Sequence, residues 1–526
     1  MIKINKKNKA LNKVFEFLSI YSLAFGLVVG AGIYLKNRSE KNSGGVLEAA
    51  NQNPYLAIAI WTFVAIVATL MMLSFIEISS GIKSDEHNTM MSWVSKFINR
   101  RAASVTAIFY VSFYMPIIAA LGSMFTVEVF FSYGLDPFLA TTGSTPVSES
   151  LSYEAFSVLK IFLATIILVG FQTMNLYSKK PGHIIQTALT FLKFLPLIIV
   201  IIGGFVVHFS TSEGWGGKNS FDMYTEHNQW AFSSIFATVV PIIFAFDGFV
   251  HAATLQKDVE NKKVVSPALL IAIISVGAFY IIITIAIFIG ASNGNIFQLI
   301  DKLFVKAPWA SFLVKIMITF TVITLVNGYT GVLPNALESS ANEGLMYFGK
   351  GSKDITRKRI IFLSYLIILS VFFLSIALSF AMGPIRETGK SSGDFMYISD
   401  TLTGATVVYA FVFYIMLMIG QVLNRVKNKV EVRKVKGGFV TTIVALVILG
   451  LIMPYVYYVM FIFPFTQKLG VTPDSDLNII NGRITSVLWL LQFIVIAVIY
   501  FVNEELLKKQ SNLENSNKKS TENLVK

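Results

Sequence analysis

Residues 237–252 read Ala237-Thr-Val-Val-Pro241-Ile-Ile-Phe244-Ala245-Phe246-Asp247-Gly248-Phe249-Val250-His251-Ala252. The stretch lies within the apolar segment 231–255, which is long enough to cross a bilayer as a helix. A proline and an Asp-Gly pair interrupt the segment, and the acid falls near its middle. A charged group at that depth costs at least ~2.5 kcal/mol on insertion scales, so Asp247 is a candidate functional residue. The alternatives are a cap on a half-helix or an ion pair with a lysine elsewhere.

The composition of the whole chain is that of a membrane protein. Of 526 residues, 54% are hydrophobic and only 14% are charged, with a mean hydropathy of +0.66. A soluble domain carries about a quarter charged residues, so a soluble enzyme, a disordered scaffold and a nucleic-acid-binding domain are excluded. The chain has no cysteine, and its five histidines lack metal-ligand spacing. We therefore expect no enzymatic activity, no metal and no cofactor.

Apolar runs of sufficient length occur throughout the sequence. A crossing needs about 20 mostly apolar residues, because a helical residue rises roughly 1.5 Å and the hydrocarbon layer is roughly 30 Å thick. The runs are longer than a barrel strand, and backbone groups in lipid must bond within their own segment. The sequence predicts an all-α polytopic membrane protein with twelve transmembrane helices, at 14–35, 54–80, 104–132, 156–176, 183–209, 231–255, 268–290, 309–333, 359–381, 399–423, 437–464 and 484–503.

The distribution of Lys and Arg predicts the orientation of these helices. With the N-terminus inside, the inner segments hold about three times as many basic residues as the outer loops, in agreement with the positive-inside rule. Both termini are therefore expected in the cytoplasm, in a multi-pass protein of the cell (plasma) membrane. Residues 1–13 form an N-terminal tail, and 504–526 form a C-terminal tail that we expect to be disordered. The same bias accounts for the net charge of +13 without a nucleic-acid partner.

The first segment also contains an interruption. It carries Gly30-Ala31-Gly32-Ile33-Tyr34 inside an apolar run, where a glycine costs roughly 1 kcal/mol relative to alanine. If the helix unwinds there, exposed N–H groups and the positive end of a half-helix favour a carboxylate. Close helix packing is the alternative, because Gly26 and Gly30 form a GxxxG pair.

The two interrupted segments are the first and the sixth of twelve. This is the corresponding position in two five-helix halves, 14–209 and 231–423, after which 437–503 adds two helices. Interruptions at matching positions of two halves point to the central site of a transporter built from an inverted repeat.

Three stretches make the sequence similar to the amino-acid permeases of the amino acid–polyamine–organocation (APC) superfamily. They are the Gly30–Tyr34 motif, the run Ile185–Leu197, and Phe244-Ala-Phe-Asp-Gly-Phe249 with the loop Lys257–Lys263 behind it. The resemblance implies a LeuT-type five-plus-five inverted repeat, in which helices 1 and 6 are broken and two extra helices are appended.

The resemblance also implies where an amino acid binds. The carboxylate meets the loosened backbone of helix 1, and the ammonium meets free carbonyls of helix 6. The rings of Phe246 and Phe249 gate or stack over the ligand, with core packing as the alternative for both. The expected binding residues are Val29, Gly30, Ala31, Gly32, Ile33, Phe244, Ala245, Phe246, Asp247, Gly248 and Phe249.

A second ionisable group, Lys193, lies deep within the segment 183–209. The resemblance implies that its ammonium takes the cation position between helices 1, 5 and 8 that sodium fills in sodium-coupled relatives, and that it releases a proton during the cycle. An ion pair with Asp247 or Glu128 is the alternative. Tyr110 and Asn327 are further candidates for polar groups of the cavity, with helix–helix hydrogen bonding as the alternative.

Together these patterns predict a secondary active transporter that moves amino acids by alternating access, coupled to protons and independent of sodium. An ionised Asp247 favours cationic amino acids, whereas a protonated one carries the coupling proton. The expected partners are the amino-acid substrate, the proton and the membrane lipid, with no obligate protein partner. An amino-acid exchanger of the same fold is one alternative. An ion channel is the alternative from another class, although channels build filters from repeated loops or charged rings.

Overall fold

The computed structural model describes residues 14–525 except for 15, 19, 23, 27, 31, 38–44, 84–85, 211–218, 228–231, 254–261, 350–354, 383–393 and 471–472. Within these residues the regular elements are helices and none is a strand, as the length of the apolar runs predicts.

The helices of the first part of the chain run up to residue 209. They are α1 (14–28, helical at every described position), α2 (Gly32–Lys36), α3 (Val46–Ala49), α4 (Pro54–Ser79), α5 (Met90–Phe97), α6 (Arg100–Phe109), α7 (Met115–Glu128), α8 (Asp136–Thr141), α9 (Val147–Ser150), α10 (Tyr153–Tyr177) and α11 (Lys179–Phe209). Two π-helical stretches, Tyr110–Tyr114 and Val129–Leu135, join α6, α7 and α8 into one rod.

The second part of the chain continues in the same way. Its helices are α12 (Ser220–His227), α13 (Phe232–Phe246), α14 (Phe249–Ala252), α15 (Lys262–Gly290), α16 (Ile296–Leu303), α17 (Pro308–Asn342), α18 (Arg357–Met382), α19 (Tyr397–Lys427), α20 (Gly438–Phe461), α21 (Phe463–Thr466) and α22 (Pro473–Val525). A short 3₁₀ helix, Asp394–Met396, precedes α19.

Ten helices among the described residues are long and apolar enough to cross a membrane, including the rod Arg100–Thr141. Each of them overlaps one of the segments that the sequence predicts. The two remaining segments, 14–35 and 231–255, are the interrupted ones, in which α1 is followed by α2 and α13 is followed by α14. The regular elements of the described residues are therefore all helical, and their number and apolar length are those of a multi-pass membrane protein.

Local capping explains where several long helices begin. The Asn53 side chain accepts the Leu56 N–H at 3.0 Å, and Pro54 occupies the first position of α4. The Asn99 side chain caps α6 in the same way, 2.8 Å from the Ala102 nitrogen. These caps satisfy N–H groups that have no partner within the helix itself.

α7 and α17 lie at the centre of the bundle. Every residue of α7 is buried, and α17 packs against α7, α10 and α11. In contrast, α10, α20 and α22 expose apolar side chains such as Phe162, Leu451 and Phe501. Such faces are suited to lipid, whose tails are as apolar as a leucine side chain.

α22 extends through residues 504–525, where the sequence analysis expects a disordered tail. The physical reason is the run Glu504-Glu-Leu-Leu-Lys-Lys-Gln510, which consists of strong helix formers and places Glu and Lys four residues apart. The Asn503 side chain fixes the start of this extension. Its amide donates to the Ser104 hydroxyl at 3.1 Å and to the Leu345 carbonyl at 2.9 Å.

Candidate functional site

The first interruption separates α1 from α2. The backbone leaves the helix at Val29 and Gly30, both buried, and returns to it at Gly32. The Val29 N–H still donates to the Phe25 carbonyl at 2.8 Å, so the helix ends in a regular turn. Ala31 lies outside the described residues. The last carbonyls of α1 have no N–H group further along the same helix from which to accept a hydrogen bond. They are therefore available to other donors.

The second interruption separates α13 from α14. α13 ends at Phe246, and Asp247 and Gly248 form a turn before α14 begins at Phe249. Gly248 has φ of +101°, a conformation that glycine adopts without the steric cost of a side chain. The Asp247 N–H donates to the Phe244 carbonyl at 3.1 Å, which tightens the last turn of α13.

The two interruptions lie against each other. A Cβ atom added to Gly32 would overlap the Ala245 backbone and come within 2.8 Å of the Ala245 Cβ. Close packing is thus one reason for a glycine at position 32, and the packing occurs at the interruption itself. Gly30 packs on α17, because a Cβ atom there would lie 3.3 Å from the Leu325 side chain.

Lys193 of α11 places its ammonium at the end of α1. Its side chain is 2% exposed, and the Nζ atom donates to the carbonyls of Gly26 and Val29, each at 2.9 Å. Neither carboxylate considered in the sequence analysis accepts from it. Glu128 pairs with Lys160 at 3.0 Å, and Asp247 accepts from tyrosine hydroxyls. The ammonium therefore occupies backbone acceptors that the interruption of α1 leaves free.

Four tyrosines, Tyr110, Tyr114, Tyr329 and Tyr414, form a cluster at Asp247, which we call the tyrosine cluster. The Tyr114 hydroxyl lies 2.5 Å from each carboxylate oxygen, and the Tyr329 hydroxyl lies 3.5 Å from Oδ2. The Tyr110 and Tyr414 hydroxyls lie 3.5 Å apart. Among the described residues, Asp247 has no ion-pair partner. The carboxylate is held by hydroxyl groups rather than by a cation.

Two of these tyrosines belong to the π-helical stretch between α6 and α7. Tyr110 and Tyr114 stand four residues apart with their ring centroids 4.6 Å from each other. Short π-helical turns occur frequently at functional sites. Tyr110 is among the site residues predicted from the sequence, whereas Tyr114 and Tyr414 are not. The local signal that the sequence offers is a tyrosine four residues after Tyr110 and two residues before Pro116.

The phenylalanines of the second interruption are packed against other aromatic rings. Phe246 lies 5.2 Å from Tyr280 and 6.0 Å from Trp61 between ring centroids. Phe249 lies 6.1 Å from Tyr414. Both rings also line a small apolar cavity formed with α4, α19 and α20. Phe244 faces a cation, because the Lys36 ammonium lies 5.2 Å from its ring centre while it pairs with Asp400 at 2.8 Å.

Asn327 takes part in hydrogen bonds between helices. Its amide donates to the Gly182 carbonyl at 3.0 Å and to Gln186 at 2.9 Å, and its side-chain oxygen accepts from Asn175 at 3.1 Å. This network joins α10, α11 and α17. Asn327 thus bonds to two neighbouring helices, while Tyr110 lies in the tyrosine cluster.

Comparisons with known proteins agree with this architecture. A family model described as "Amino acid permease" matches residues 15–499, and it represents a family of transporters rather than enzymes. The chain is 25% identical over 487 residues to the mouse b(0,+)-type amino acid transporter 1, with 87% of each chain covered. The human b(0,+)-type amino acid transporter 1 is 23% identical over 350 residues, with 65% of each chain covered. An uncharacterized protein of Mycoplasma pneumoniae is 25% identical over 470 residues, covering 81% of this chain and 80% of that protein. The chain belongs to the amino acid permease family of the amino acid–polyamine–organocation superfamily.

Proposed function

We propose that the protein is a secondary active transporter that carries amino acids across the cell membrane by alternating access. The proposed architecture has twelve crossings: a first repeat (14–209), an inverted second repeat (231–423) and two further helices (437–503), with both termini in the cytoplasm. In the described part of the chain, ten helices long and apolar enough to cross a membrane and two interrupted segments support this count. The observation that carries the proposal is the contact between the two interruptions, at Gly32 and Ala245.

In this proposal the amino acid binds where the two interrupted helices meet. Its carboxylate binds the backbone from Val29 to Ile33, where N–H groups at the start of α2 face the interruption. Its ammonium binds carbonyls at the end of α13 and in the turn after it, from Phe244 to Asp247. Opposite partial charges at the two helix ends support this orientation of a zwitterion.

The side chain of the substrate is proposed to reach Asp247, and a cationic side chain is favoured there. The carboxylate is surrounded by hydroxyl groups, whose oxygen atoms also accept hydrogen bonds from a cation. Asp247, Gly328 and Tyr329 are half-buried, and a Cβ atom added to Gly328 would meet no atom within 4 Å. This open space beside Tyr329 supports access to the carboxylate.

Lys193 is proposed to act in coupling. A fixed ammonium on the Gly26 and Val29 carbonyls occupies acceptors that a sodium ion would otherwise use. Transport is therefore expected to be independent of sodium, with the ammonium able to give up its proton and regain it. An exchanger of one amino acid for another has the same site, and the transport assay separates it from a symporter.

The test is uptake into proteoliposomes that contain the purified protein. We expect saturable uptake of radiolabelled lysine, arginine and leucine, driven by an inward proton gradient without sodium. Asp247→Asn is expected to lower lysine uptake at least tenfold while leucine uptake persists. Asp222→Asn is the matched control, because Asp222 is exposed on α12.

Each alternative has its own outcome in this assay. Uptake only in exchange for an internal amino acid identifies an exchanger, and flux that does not saturate identifies a channel. Sodium-dependent uptake contradicts the role of Lys193. An unchanged lysine-to-leucine ratio in the Asp247 variant contradicts the preference for cationic substrates.

A further inference from the structure

The segment between α19 and α20, residues 428–437, lies across one end of the helix bundle, and we call it the strap. It contains no helix, and its three valines are half-buried, whereas its charged residues are exposed. The exposed charged residues are Lys429, Glu431, Arg433, Lys434 and Lys436. The alternation of valine with charged residues is that of an extended backbone whose two sides face different surroundings. Four basic residues and one acid give the strap a net charge of +3.

The backbone of the strap is held to the ends of α4 and α19. Three of its N–H groups donate to side chains of these helices: Val430 to Asn424 at 2.7 Å, Arg433 to Ser80 at 2.9 Å, and Val435 to Glu77 at 3.0 Å. The Asn424 amide also donates to the Val430 carbonyl at 2.9 Å. The exposed basic side chains therefore project from a fixed backbone.

The acid that anchors the strap does not neutralise its lysines. Glu77 is fully buried, and its Oε1 atom lies 2.5 Å from the Nε atom of Arg425. No ion pair of the described residues includes Lys429, Lys434 or Lys436. Their positive charges are thus available to an anion from outside the protein.

Apolar side chains are exposed on both sides of the strap. Leu423 and Val426 are 47% and 71% exposed at the end of α19, and Phe439 and Val440 are 36% and 63% exposed at the start of α20. Such faces are suited to lipid tails, which are as apolar as these side chains. The lysines of the strap therefore lie where an apolar surface changes into a charged one, which is the level of lipid headgroups.

We propose that the strap binds the headgroup of an anionic phospholipid, whose acyl chains lie on the exposed faces of α19 and α20. Juxtamembrane clusters of Lys and Arg attract anionic lipids, and each ammonium has three protons to donate to phosphate oxygens. The positive-inside rule accounts for basic residues at this end of the helices, but it requires neither a fixed backbone nor apolar neighbours. The proposal goes beyond transport and requires only that the chain lies in a bilayer.

The test compares two triple variants that remove the same charge. The strap variant carries Lys429→Gln, Lys434→Gln and Lys436→Gln. The control variant carries Lys358→Gln, Lys508→Gln and Lys509→Gln, three exposed lysines outside the strap. In phosphatidylcholine alone, both are expected to unfold at the native temperature, because exposed substitutions change stability little.

Thermal unfolding of the purified full chain is measured in detergent with added phosphatidylglycerol or phosphatidylcholine. We expect phosphatidylglycerol to raise the unfolding temperature of the native protein and of the control variant more than phosphatidylcholine does. The strap variant should need roughly tenfold more phosphatidylglycerol, or more, for the same rise. An equal response of the two triple variants would overturn the proposal, as would a native protein that does not distinguish the two lipids.

Two further measurements complete the test. Inorganic phosphate carries the anion without the acyl chains, so a rise as large as that with phosphatidylglycerol would show an anion site and would overturn the assignment to lipid. Native mass spectrometry counts the phosphatidylglycerol molecules retained by each protein, even if the strap variant is less stable. We expect fewer on the strap variant than on the control variant, and equal retention would contradict the proposal.

Discussion

Lys160 and Glu128 bury an ion pair between α10 and α7. The Lys160 side chain is fully buried, its ammonium lies 3.0 Å from the Glu128 carboxylate, and the rings of Phe156 and Phe395 lie 4.6 and 5.0 Å from it. Removing the charge of one partner leaves the other charge buried without the partner that neutralised it. Glu128→Gln is therefore expected to lower the free energy of unfolding by about 3 kcal/mol, measured by thermal unfolding in detergent.

The double variant Lys160→Met with Glu128→Leu is the control for this prediction. It removes both charges and keeps similar volumes, so we expect it to regain most of the lost stability. A double variant that is no more stable than Glu128→Gln would contradict the assignment of the loss to an unpaired charge.

Gly32 carries a prediction about contact between backbones. Gly32→Ala is expected to reduce uptake at least tenfold and to lower the unfolding temperature, because the added methyl group has no space beside Ala245. Gly170→Ala is the comparison, since a Cβ atom there would meet no atom within 4 Å. Uptake and thermal unfolding of both variants, measured side by side, decide whether position 32 is restricted by space.

The predictability of the site differs from residue to residue. Gly30, Gly32, Asp247 and Gly248 could be found because each is costly inside an apolar helix, so its presence needs a reason. Tyr114 and Tyr414 could not be found in this way. A tyrosine is common in an aromatic-rich chain, and the Tyr114 partner Asp247 lies 133 residues away in sequence.

At the scale of elements, the proposed coupling depends on the contact between the end of α1 and Lys193 in the middle of α11. Lys193→Met removes the donor that satisfies the Gly26 and Val29 carbonyls. We expect uptake by this variant to lose its response to an imposed pH gradient, measured in proteoliposomes at fixed external pH. Lys508→Met, at an exposed position of α22, should keep the native response. A full response to the gradient in Lys193→Met would exclude coupling through this ammonium.

The lengths of the helices follow from the sequence better than their irregularities do. About twenty consecutive apolar residues are long enough to cross the hydrocarbon layer as a helix. The segments predicted from this length therefore coincide with α4, α10 and α15. The π-helical stretches within Arg100–Thr141 have no comparable signal. The first stretch packs against α17 and α19 and the second against α17 and α9, and such packing partners are not encoded in a local pattern.

At the scale of the whole molecule, the absence of cysteine allows the orientation to be measured directly. A single cysteine at the exposed Ser144 is expected to react with an impermeant maleimide on intact cells, because the predicted loop after the third crossing is outside. A single cysteine at Lys508 should react only after the membrane is permeabilised. The reverse pattern would show that the positive-inside assignment is wrong.

α22 has a mechanical consequence that follows from its length. Its 53 residues correspond to about 80 Å at a rise of 1.5 Å per residue, well over twice the roughly 30 Å of hydrocarbon in a bilayer. The part beyond Asn503 is a lever arm of about 33 Å, pivoting at the hydrogen bonds to Ser104 and Leu345. A tilt of about 10° at that pivot sweeps the far end through about 6 Å. A small displacement of α6 that tilts this arm would thus be larger at its tip.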